Sequence, residues 1–181
     1  MLTDRQIRDA REVAAVMLAG AGIKLTRNEE SSIEIADFGL GNLQASGLEI
    51  VVYVNTARCC AKELVLFPRQ TCPQHLHPAV GDDPGKEETF RCRWGEVYLY
   101  VPGDRTENPA CRPPLGHEAH YTVWHEVKLL PGDQYTIDPG TPHWFQSGDH
   151  GAVVSEFSTT SRDEYDIFQD PAIVRVPTTN K

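Results

Sequence analysis

The chain has 181 residues, of which 40% are hydrophobic and 24% are charged, and its formal net charge is -9. This length predicts a single domain over residues 1–181 with a sizeable core, and the composition is typical of a globular protein. The acidic charge argues against binding to nucleic acid or to an anionic membrane surface, so we expect neither as a partner.

The distribution of apolar residues argues against membrane insertion and secretion. No run of eighteen apolar residues is present, which predicts no transmembrane helix. The N-terminal stretch MLTDRQIRDAREV is charged throughout and lacks the apolar segment of a secretory signal. The cysteines have no framework spacing and form no CxxC pair; they are Cys59, Cys60, Cys72, Cys92 and Cys111. We therefore expect reduced thiols in a cytoplasmic protein, and no cysteine-based zinc site.

The first predicted element is a helix over residues 4–20. Thr3 and Gln6 fit the T-x-x-Q pattern of a capping box, in which each residue satisfies a backbone N–H of the other. Apolar residues recur at helical spacing and form one stripe, made of Ile7, Ala10, Ala14, Met17, Leu18 and Ala21. We assign this N-terminal helical extension, residues 1–30, a role in packing.

After the helix, the apolar pattern changes to the period of two that is typical of strands. Turn signals rich in Gly and Pro separate the strand-like runs, which predicts an antiparallel sandwich or barrel. The predicted strands are residues 32–38, 48–55, 62–68, 96–101, 121–130 and 152–158. The longest segment without a period covers residues 102–120, and we expect it to be a surface loop or lid.

Three histidines and a glutamate form the candidate metal site. His75 and His77 are two residues apart, so on a strand their side chains point to the same face. Ten residues separate His77 from Glu88, and a hairpin there would bring Glu88 beside the histidines; His143 follows a Pro-Gly turn much later. Such a mixed N/O set suits Mn, Fe, Co, Ni or Zn better than Ca or Mg, and it leaves open positions on the ion. The alternative is a pair of solvent-exposed histidines at a strand end.

The spacing of these residues resembles the two motifs of the cupin superfamily. The pair H-x-H, followed by Glu88, six residues and Gly95, is similar to the first cupin motif, and GDQYTIDPGTPH is similar to the second. The chain departs from the pattern in two ways: Arg69 replaces the usual leading glycine, and the gap between His77 and Glu88 is longer. The longer gap leaves Glu87 as an alternative ligand, and we favour Glu88 because of its spacing to Gly95.

Longer segments resemble the D-lyxose isomerase family of cupins. They are HLHPAVGDDPGKEETF, WGEVYLYVPG and VVSEFSTTSRDEYDIFQDP, and the resemblance covers most of residues 60–172. It implies an all-β cupin jelly-roll barrel, with the metal-binding core at 60–172, that interconverts D-lyxose with D-xylulose and D-mannose with D-fructose. It also implies a divalent metal, Mn first, with Co, Ni, Fe and Zn as alternatives. Because dimers are common among cupins, we also expect a homodimer.

The resemblance and the chemistry together point to two catalytic candidates. Moving a proton between C1 and C2 of an open-chain sugar requires a base, and a bound metal can polarise the carbonyl. Glu156 lies on the small-residue face of a predicted strand and is the candidate base; its alternative role is a salt bridge with a lysine. Lys86 shares a face with Glu88 on an extended segment and is the candidate proton donor to O1 or O2; its alternative is a solvated loop lysine.

Other polar and aromatic residues leave their roles open. Asp166 can hold a sugar hydroxyl or cap a turn. His125 alternates with apolar residues, so we expect it in the interior as a hydrogen-bonded core histidine rather than as a further ligand. Three more histidines lie in loops, where we expect them to be solvated: His117, His120 and His150. Three aromatic residues flank the ligands and either wall a sugar site or pack in the core: Trp94, Tyr98 and Trp144.

Two other functions are compatible with the ligand set. A non-haem iron dioxygenase on the same fold would consume oxygen and require iron. A non-catalytic sugar-binding cupin would have no use for the base Glu156. The preferred sugar and the native metal are not encoded in any spacing, because pocket shape and metal supply determine them.

Overall fold

The structure is a computed structural model that describes residues 2–175. Helix α1 spans Asp4–Gly20, as predicted, and its capping box is present: the Gln6 amide donates to Thr3 Oγ1 at 3.3 Å, and the Thr3 amide donates to Gln6 Oε1 at 2.9 Å. The predicted apolar stripe faces the sheet, where its most deeply buried members are Ala10, Ala14 and Leu18. Neither α-helix in the described part of the chain has the length and apolar composition needed to span a bilayer.

A second helix was not predicted. Helix α2 spans Arg27–Ser32, and Thr26 and Glu29 form its capping box. The T-x-x-E pattern that starts this helix is the same kind of signal as that of α1. The short length of α2 and its lack of buried residues explain why no apolar stripe identifies it.

Within residues 2–175, nine strands form one sheet in which all pairs of neighbouring strands are antiparallel. The strands are β1 (Glu34–Ala36), β2 (Leu48–Asn55), β3 (Cys60–Leu66), β4 (Thr71–Leu76), β5 (Glu88–Val101), β6 (His125–Leu129), β7 (Gln134–Ile137), β8 (His143–Ser158) and β9 (Ile167–Phe168). The long strand β8 pairs with β3 and β4 along one edge and with β5 along the other, and the sheet curls into an open barrel.

The predicted strands are all present, but several are longer, shorter or displaced. The strand at 48–55 has the predicted bounds, whereas the runs at 96–101 and 152–158 are only the ends of the long strands β5 and β8. Strands β4, β7 and β9 were not predicted. Strand β4 was missed because TCPQHL contains Pro73 and follows a turn signal, so its sequence is not typical of a strand.

Gly95 lies where the long strand β5 bends. Its φ is +72°, and a Cβ at this position would approach the carbonyl oxygen of Gly151 to 2.1 Å. The register with β8 shifts between Gly95 and Val97. Only glycine fits this conformation and this close approach, which explains the glycine at the end of the first motif.

The sheet has an apolar cluster on each face. The outer cluster packs α1 against the sheet, and Leu18, Val65 and Val153 are fully buried in it. The inner cluster fills the barrel and includes Leu66, Leu99 and Val154. Fully burying a side chain of this size contributes about 1.5–3 kcal/mol, so the two clusters hold the barrel and its helix together.

The segment predicted as a loop or lid, residues 102–120, contains no strand and only a short 3₁₀ turn at Glu118–His120. It covers the aromatic pair Tyr100 and Trp144, whose rings stack with centroids 3.9 Å apart. The segment is also tied to β8, because Gln146 Nε2 donates to the carbonyl oxygen of Arg112 at 2.9 Å.

Candidate functional site

A cavity opens inside the barrel. Four phenylalanines contribute to its wall: Phe38, Phe90, Phe145 and Phe168. The polar residues that line it are Lys62, His75, His77, Lys86, Glu88, Glu156, Asp163, Asp166 and Arg175. This many charged groups inside a barrel are costly unless they are paired or serve a function.

The three candidate histidines converge at one end of this cavity. His75 lies near the end of β4, His77 follows that strand directly, and His143 is the first residue of β8. One nitrogen of each ring lies within 4.8 Å of the others, and all three residues are buried. His75 and His143 are cross-strand neighbours, which explains why residues so far apart in sequence meet here.

The backbone fixes the tautomer of two of the rings. Nδ1 of His75 lies 2.8 Å from the carbonyl oxygen of Pro73, and Nδ1 of His143 lies 2.9 Å from that of Thr141. A carbonyl oxygen only accepts, so each Nδ1 must donate and each Nε2 keeps its lone pair. Burial, and then the neighbouring rings, hold the pKa of His75 well below its usual range. A neutral imidazole with a free Nε2 is the form that binds metals.

Glu88, rather than Glu87, points into the cluster. Glu88 begins β5 and is 1% exposed, and its Oε1 lies 3.1 Å from His77 Nε2 and 3.0 Å from His143 Nε2. Glu87 is exposed, and its backbone pairs with Thr159. Burial raises the pKa of Glu88, but the charges of Lys86 and His77 outweigh it and hold this pKa well below the usual range.

This donor set fits a metal ion. Among the described residues, His143 Nε2 has no hydrogen-bond partner, because its contact with Glu88 does not have hydrogen-bond geometry. An unpaired buried nitrogen costs about 1–3 kcal/mol unless something else satisfies it. Three imidazoles and one carboxylate suit a first-row transition metal. Burial lowers the pKa of His77, whereas Glu88 and Asp166 raise it, to about 9, so metal binding has to displace a proton there. We call His75, His77, Glu88 and His143 the histidine half of the cavity.

Lys86 connects this half to the candidate base. Its Nζ lies 2.7 Å from Glu88 Oε2 and 3.1 Å from Glu156 Oε1, and all three side chains are buried. Burial lowers the pKa of Lys86, but Glu156 and then Glu88 outweigh it and hold this pKa well above the usual range. Lys86 is therefore a buried, charged lysine shared by two carboxylates rather than a solvated loop residue.

Glu156 also faces a second lysine that was not predicted. Lys62 on β3 is its cross-strand neighbour, with Nζ 3.9 Å from Glu156 Oε1. The same Nζ donates to Ser161 Oγ at 2.8 Å and to Asp163 Oδ2 at 2.9 Å. We call Lys62, Lys86, Glu156 and Asp163 the lysine half of the cavity.

The lysine half is closed by Arg175, which was also not predicted. Its guanidinium contacts Glu34 and lies 3.4 Å from Asp163 Oδ2. A sequence signal existed for Lys62, because it alternates with Leu64 and Leu66, which line the barrel interior. No comparable local signal identifies Asp163 or Arg175.

Several other expectations are corrected by the structure. His125 is exposed rather than interior, with Nδ1 3.1 Å from the Asp104 carbonyl oxygen. His125 begins β6, which within residues 2–175 pairs with β5 alone. Its side chain is therefore exposed at the edge of the sheet, although it alternates with apolar residues. His117 and His120 are half-buried beside Asp170 instead of solvated, while His150 is exposed as expected but lies within β8.

The remaining candidates also have defined positions. Asp166 accepts no hydrogen bond from a backbone amide among the described residues, so it does not cap a turn. Its Oδ1 lies 2.5 Å from Nδ1 of His77 instead. The aromatic residues near the ligands pack outside the cavity, Trp144 and Tyr98 in a cluster under the 102–120 segment and Trp94 against the outer cluster. The phenylalanines supply the aromatic wall in their place.

Proteins of known activity match nearly the whole chain. A D-lyxose/D-mannose isomerase of Thermosediminibacter oceani is 60% identical over 177 residues, 98% of this chain and 98% of that protein. A D-lyxose ketol-isomerase of Cohnella laeviribosi is 62% identical over 170 residues, 94% of this chain and 93% of that protein. The L-ribose isomerase of Acinetobacter sp. DL28, solved with L-ribose, has a TM-score of 0.78 and 18% identity, and the match covers 95% of this chain and 94% of that chain. No family model matches the chain.

The fold is that of a sugar isomerase of the cupin type, which confirms the predicted all-β barrel with an N-terminal helix. With relatives at 60% and 62% identity over almost its full length, the chain belongs to the D-lyxose isomerase family, whose reaction is aldose–ketose isomerisation.

Proposed function

We propose that the chain is a metal-dependent isomerase that converts D-lyxose to D-xylulose and D-mannose to D-fructose in the cavity between the histidine and lysine halves. The observation that carries this proposal is the position of Lys86, within 3.1 Å of both a candidate metal ligand and the candidate base. The buried Lys86 thus lies between the proposed metal site at Glu88 and the proposed base Glu156, and proton transfer between adjacent carbons uses both.

The histidine half would hold the metal through His75, His77, Glu88 and His143. Three neutral nitrogens and a carboxylate suit Mn²⁺, our first choice, and also Co²⁺, Ni²⁺, Fe²⁺ or Zn²⁺. When bound, a divalent ion supplies a Lewis acid that polarises the sugar carbonyl and stabilises negative charge on its oxygen.

Glu156 would move the proton between the two carbons. Its carboxylate removes the proton from C2 of the open-chain aldose, and the C–H electron pair forms the C1=C2 bond of a cis-enediol. Glu156 then returns the proton to C1 as the carbonyl forms at C2, so the carboxylate is regenerated. Glu156 is buried between two cations, with Oε1 3.9 Å from Lys62 Nζ and 3.1 Å from Lys86 Nζ.

Lys86 would move the second proton, between the oxygens. Conversion of an aldose to a ketose requires O1 to gain a proton and O2 to lose one. The Lys86 ammonium donates to O1 as charge develops there, and the hydroxyl at O2 restores the ammonium when the C2 carbonyl forms. The position of Lys86 between Glu88 and Glu156 supports this role, since a substrate in the cavity would lie beside both carboxylates.

The substrate range follows from relatives and stereochemistry. A relative at 60% identity is named for both D-lyxose and D-mannose. These sugars share the configuration of C2, C3 and C4, and D-mannose has one additional carbon at the end remote from the reaction. Because the proposed chemistry involves only C1 and C2, the same residues serve both sugars, provided that the cavity admits the longer chain.

A homodimer in the cytoplasm is a further part of the proposal. Strand β1 pairs with residues 48–50 of β2, so the outer edge of β2 is not covered by a strand beyond that point in the described structure. Val52 and Tyr53 are 47% and 43% exposed along this edge. Exposed edges of this kind are surfaces on which a second copy can pair. Light scattering coupled to gel filtration measures the mass directly, and a monomer mass would contradict the dimer.

The test of the proposed reaction is ketose formation without oxygen. Purified protein with added Mn²⁺ is incubated anaerobically in D₂O with D-lyxose, D-mannose and a panel of other pentoses and hexoses. We expect D-xylulose and D-fructose, with solvent deuterium at C1. Product that forms only in a parallel aerobic incubation would support the iron dioxygenase instead, and sugar binding without turnover would support the non-catalytic cupin. Ketose that lacks solvent deuterium after many turnovers would contradict the exchangeable base.

A further inference from the structure

The three histidines of the metal cluster are not anchored in the same way. In each, Nδ1 contacts an oxygen and Nε2 is left for the cluster. For His75 and His143 this oxygen is a backbone carbonyl two residues away. For His77 it is a side-chain carboxylate, Oδ1 of Asp166, at 2.5 Å. His77 is therefore the only one of the three whose anchor depends on a side chain that a substitution can remove.

We propose that Asp166 is a positioning residue for the metal site. It holds the His77 ring in the orientation and tautomer that ligation requires, and it strengthens Nε2 as an electron-pair donor to the metal. A carboxylate only accepts hydrogen bonds, so it assigns the proton of the neutral ring to Nδ1 and frees Nε2. Nε2 of His77 lies on the opposite side of the ring, 3.1 Å from Glu88 Oε1. This inference rests on the proposed function, since it assigns a role toward the metal of that same site.

Strand pairing delivers Asp166 to this position. The short strand β9 pairs with β4, with Leu76 opposite Ile167 and His75 opposite Phe168. Continuing this antiparallel register by one residue places Asp166 opposite His77. The Phe168 ring also stacks on His75, with an interplanar angle of 27° and centroids 5.3 Å apart. Strand β9 and the residue before it thus support two of the candidate metal histidines, Phe168 by stacking on His75 and Asp166 by a hydrogen bond with His77.

The placement of Asp166 distinguishes this role from a general structural one. Its side chain is 8% exposed and lines the cavity beside His77. A turn-capping carboxylate would accept from backbone amides, and none is found for Asp166 among the described residues. Asp170, on the same segment, offers a comparison, because its Oδ2 lies 2.5 Å from Nδ1 of His117, away from the cavity.

The test measures the affinity of the whole protein for Co²⁺ and Mn²⁺, by visible absorption and by calorimetry, in Asp166→Ala and Asp166→Asn. We expect the affinity to fall about 10–100-fold in Asp166→Ala, with a smaller fall in Asp166→Asn, because asparagine can still accept from Nδ1 but carries no charge. We also expect altered Co²⁺ absorption bands, and turnover that recovers at saturating Mn²⁺. The control Asp170→Asn makes the same change as Asp166→Asn at a carboxylate that contacts a histidine outside the cavity, and it should bind both ions with the parent affinity.

The outcomes separate this inference from the proposed function. If folded Asp166→Ala binds Co²⁺ and Mn²⁺ like the parent protein, the positioning role is wrong while the metal site stands. An equal loss of affinity in Asp170→Asn would also overturn the role, since the effect would then be a general loosening of the segment. If Asp166→Ala does not fold, Asp166→Asn decides by the same criteria. If the parent protein itself binds neither ion, the proposed function fails.

Discussion

The two halves of the cavity are held in place by different kinds of contact. In the histidine half, the rings of His75 and His143 are fixed by carbonyl oxygens two residues away in sequence. In the lysine half, Lys86 contacts Glu156 across 70 residues, and Lys62 contacts Asp163 across 101 residues. Two of the three histidine rings are therefore set by local backbone geometry, whereas the lysine half is set by long-range pairing of buried charges.

This difference has a consequence for function. Removing one side chain from the lysine half leaves the backbone anchors of the histidines intact, so metal binding and turnover should be separable there. The lysine half should be less robust as a structure, because each buried charge depends on its partners and an unpaired buried charge costs several kcal/mol. We therefore expect substitutions in the histidine half to reduce metal binding, and substitutions in the lysine half to reduce turnover and stability.

The largest expected effect is the loss of turnover in Glu156→Gln. An amide cannot accept the C2 proton, and removing a general base typically costs about 10²–10⁴-fold. We expect kcat for D-lyxose to fall about 10³-fold while Mn²⁺ affinity, measured by calorimetry, stays at the parent value. The matched control is Glu87→Gln, which changes an exposed carboxylate and should turn over normally. Normal isomerisation by Glu156→Gln would exclude Glu156 as the base.

The next effect is on stability, in Lys62→Met. Removing one partner of a buried ion pair costs roughly 3–5 kcal/mol, because Asp163 and Glu156 then lose a buried cation. We expect a decrease of about 3 kcal/mol in the free energy of unfolding, together with reduced turnover and unchanged metal affinity in the folded protein. Urea denaturation and metal titration measure these quantities.

The control for Lys62→Met is Lys128→Met. Lys128 pairs with Glu96 at 2.6 Å, but the two side chains are 45% and 34% exposed. An exposed pair of this kind contributes little to stability, so Lys128→Met should unfold close to the parent protein. Equal losses of stability in the two variants would show that burial does not distinguish the lysine half.

Glu49 is a buried carboxyl group without a neighbouring cation in the described part of the chain, and it can be compared with Glu88, which has one. Glu49 is fully buried; its Oε1 accepts from Gln70 at 3.0 Å, and Oε2 has no partner among the described residues. Burial raises the pKa of Glu49 from 4.5 to about 8, with the Gln70 hydrogen bond opposing it. Glu88, which is equally buried but faces Lys86, has its pKa lowered.

The raised pKa predicts how stability depends on pH. Between pH 4.5 and about 8 the unfolded chain loses the Glu49 proton while the folded chain keeps it. Folded stability therefore falls as pH rises through this window, by up to about 1.4 kcal/mol per pH unit from this group. In Glu49→Gln this contribution is absent, so the free energy of unfolding of the variant relative to the parent should rise across the window. A constant difference across the window would contradict the raised pKa.

The smallest expected effect is that of His125→Ala. The side chain is exposed on β6 and contacts no residue of either half. We expect unchanged Mn²⁺ affinity and unchanged turnover, measured in the same assays. A loss of metal affinity would contradict this and would show that His125 takes part in metal binding.

The same difference between the halves explains what could be predicted from sequence. The pair H-x-H places two rings on one strand face, and the Pro-Gly turn precedes a histidine that begins a strand; both are local patterns. Lys62 alternates with Leu64 and Leu66, which line the interior, but its partners Asp163 and Glu156 are far away in sequence and no local pattern identifies them. Arg175 meets Glu34 across 141 residues, and no periodicity encodes that contact.

The fold shows the same division. Helix α1 and strand β2 were predicted with their observed bounds, because a capping box and a period of two determine them locally. Strand β4 was not, because TCPQHL owes its extended form to pairing with β8 and β9 rather than to its own residues. His125 shows the converse error, since its alternating pattern was genuine but the face it points to depends on which strands cover β6.

The most direct test of the metal-dependent site is chelation followed by metal addition. The protein is dialysed against a chelator until its metal content is negligible and is then assayed for D-xylulose formation from D-lyxose, before and after Mn²⁺ is added. We expect turnover to be lost on chelation and restored by Mn²⁺ in proportion to the metal bound, up to one ion per chain. Full turnover by protein that contains no metal would contradict the account.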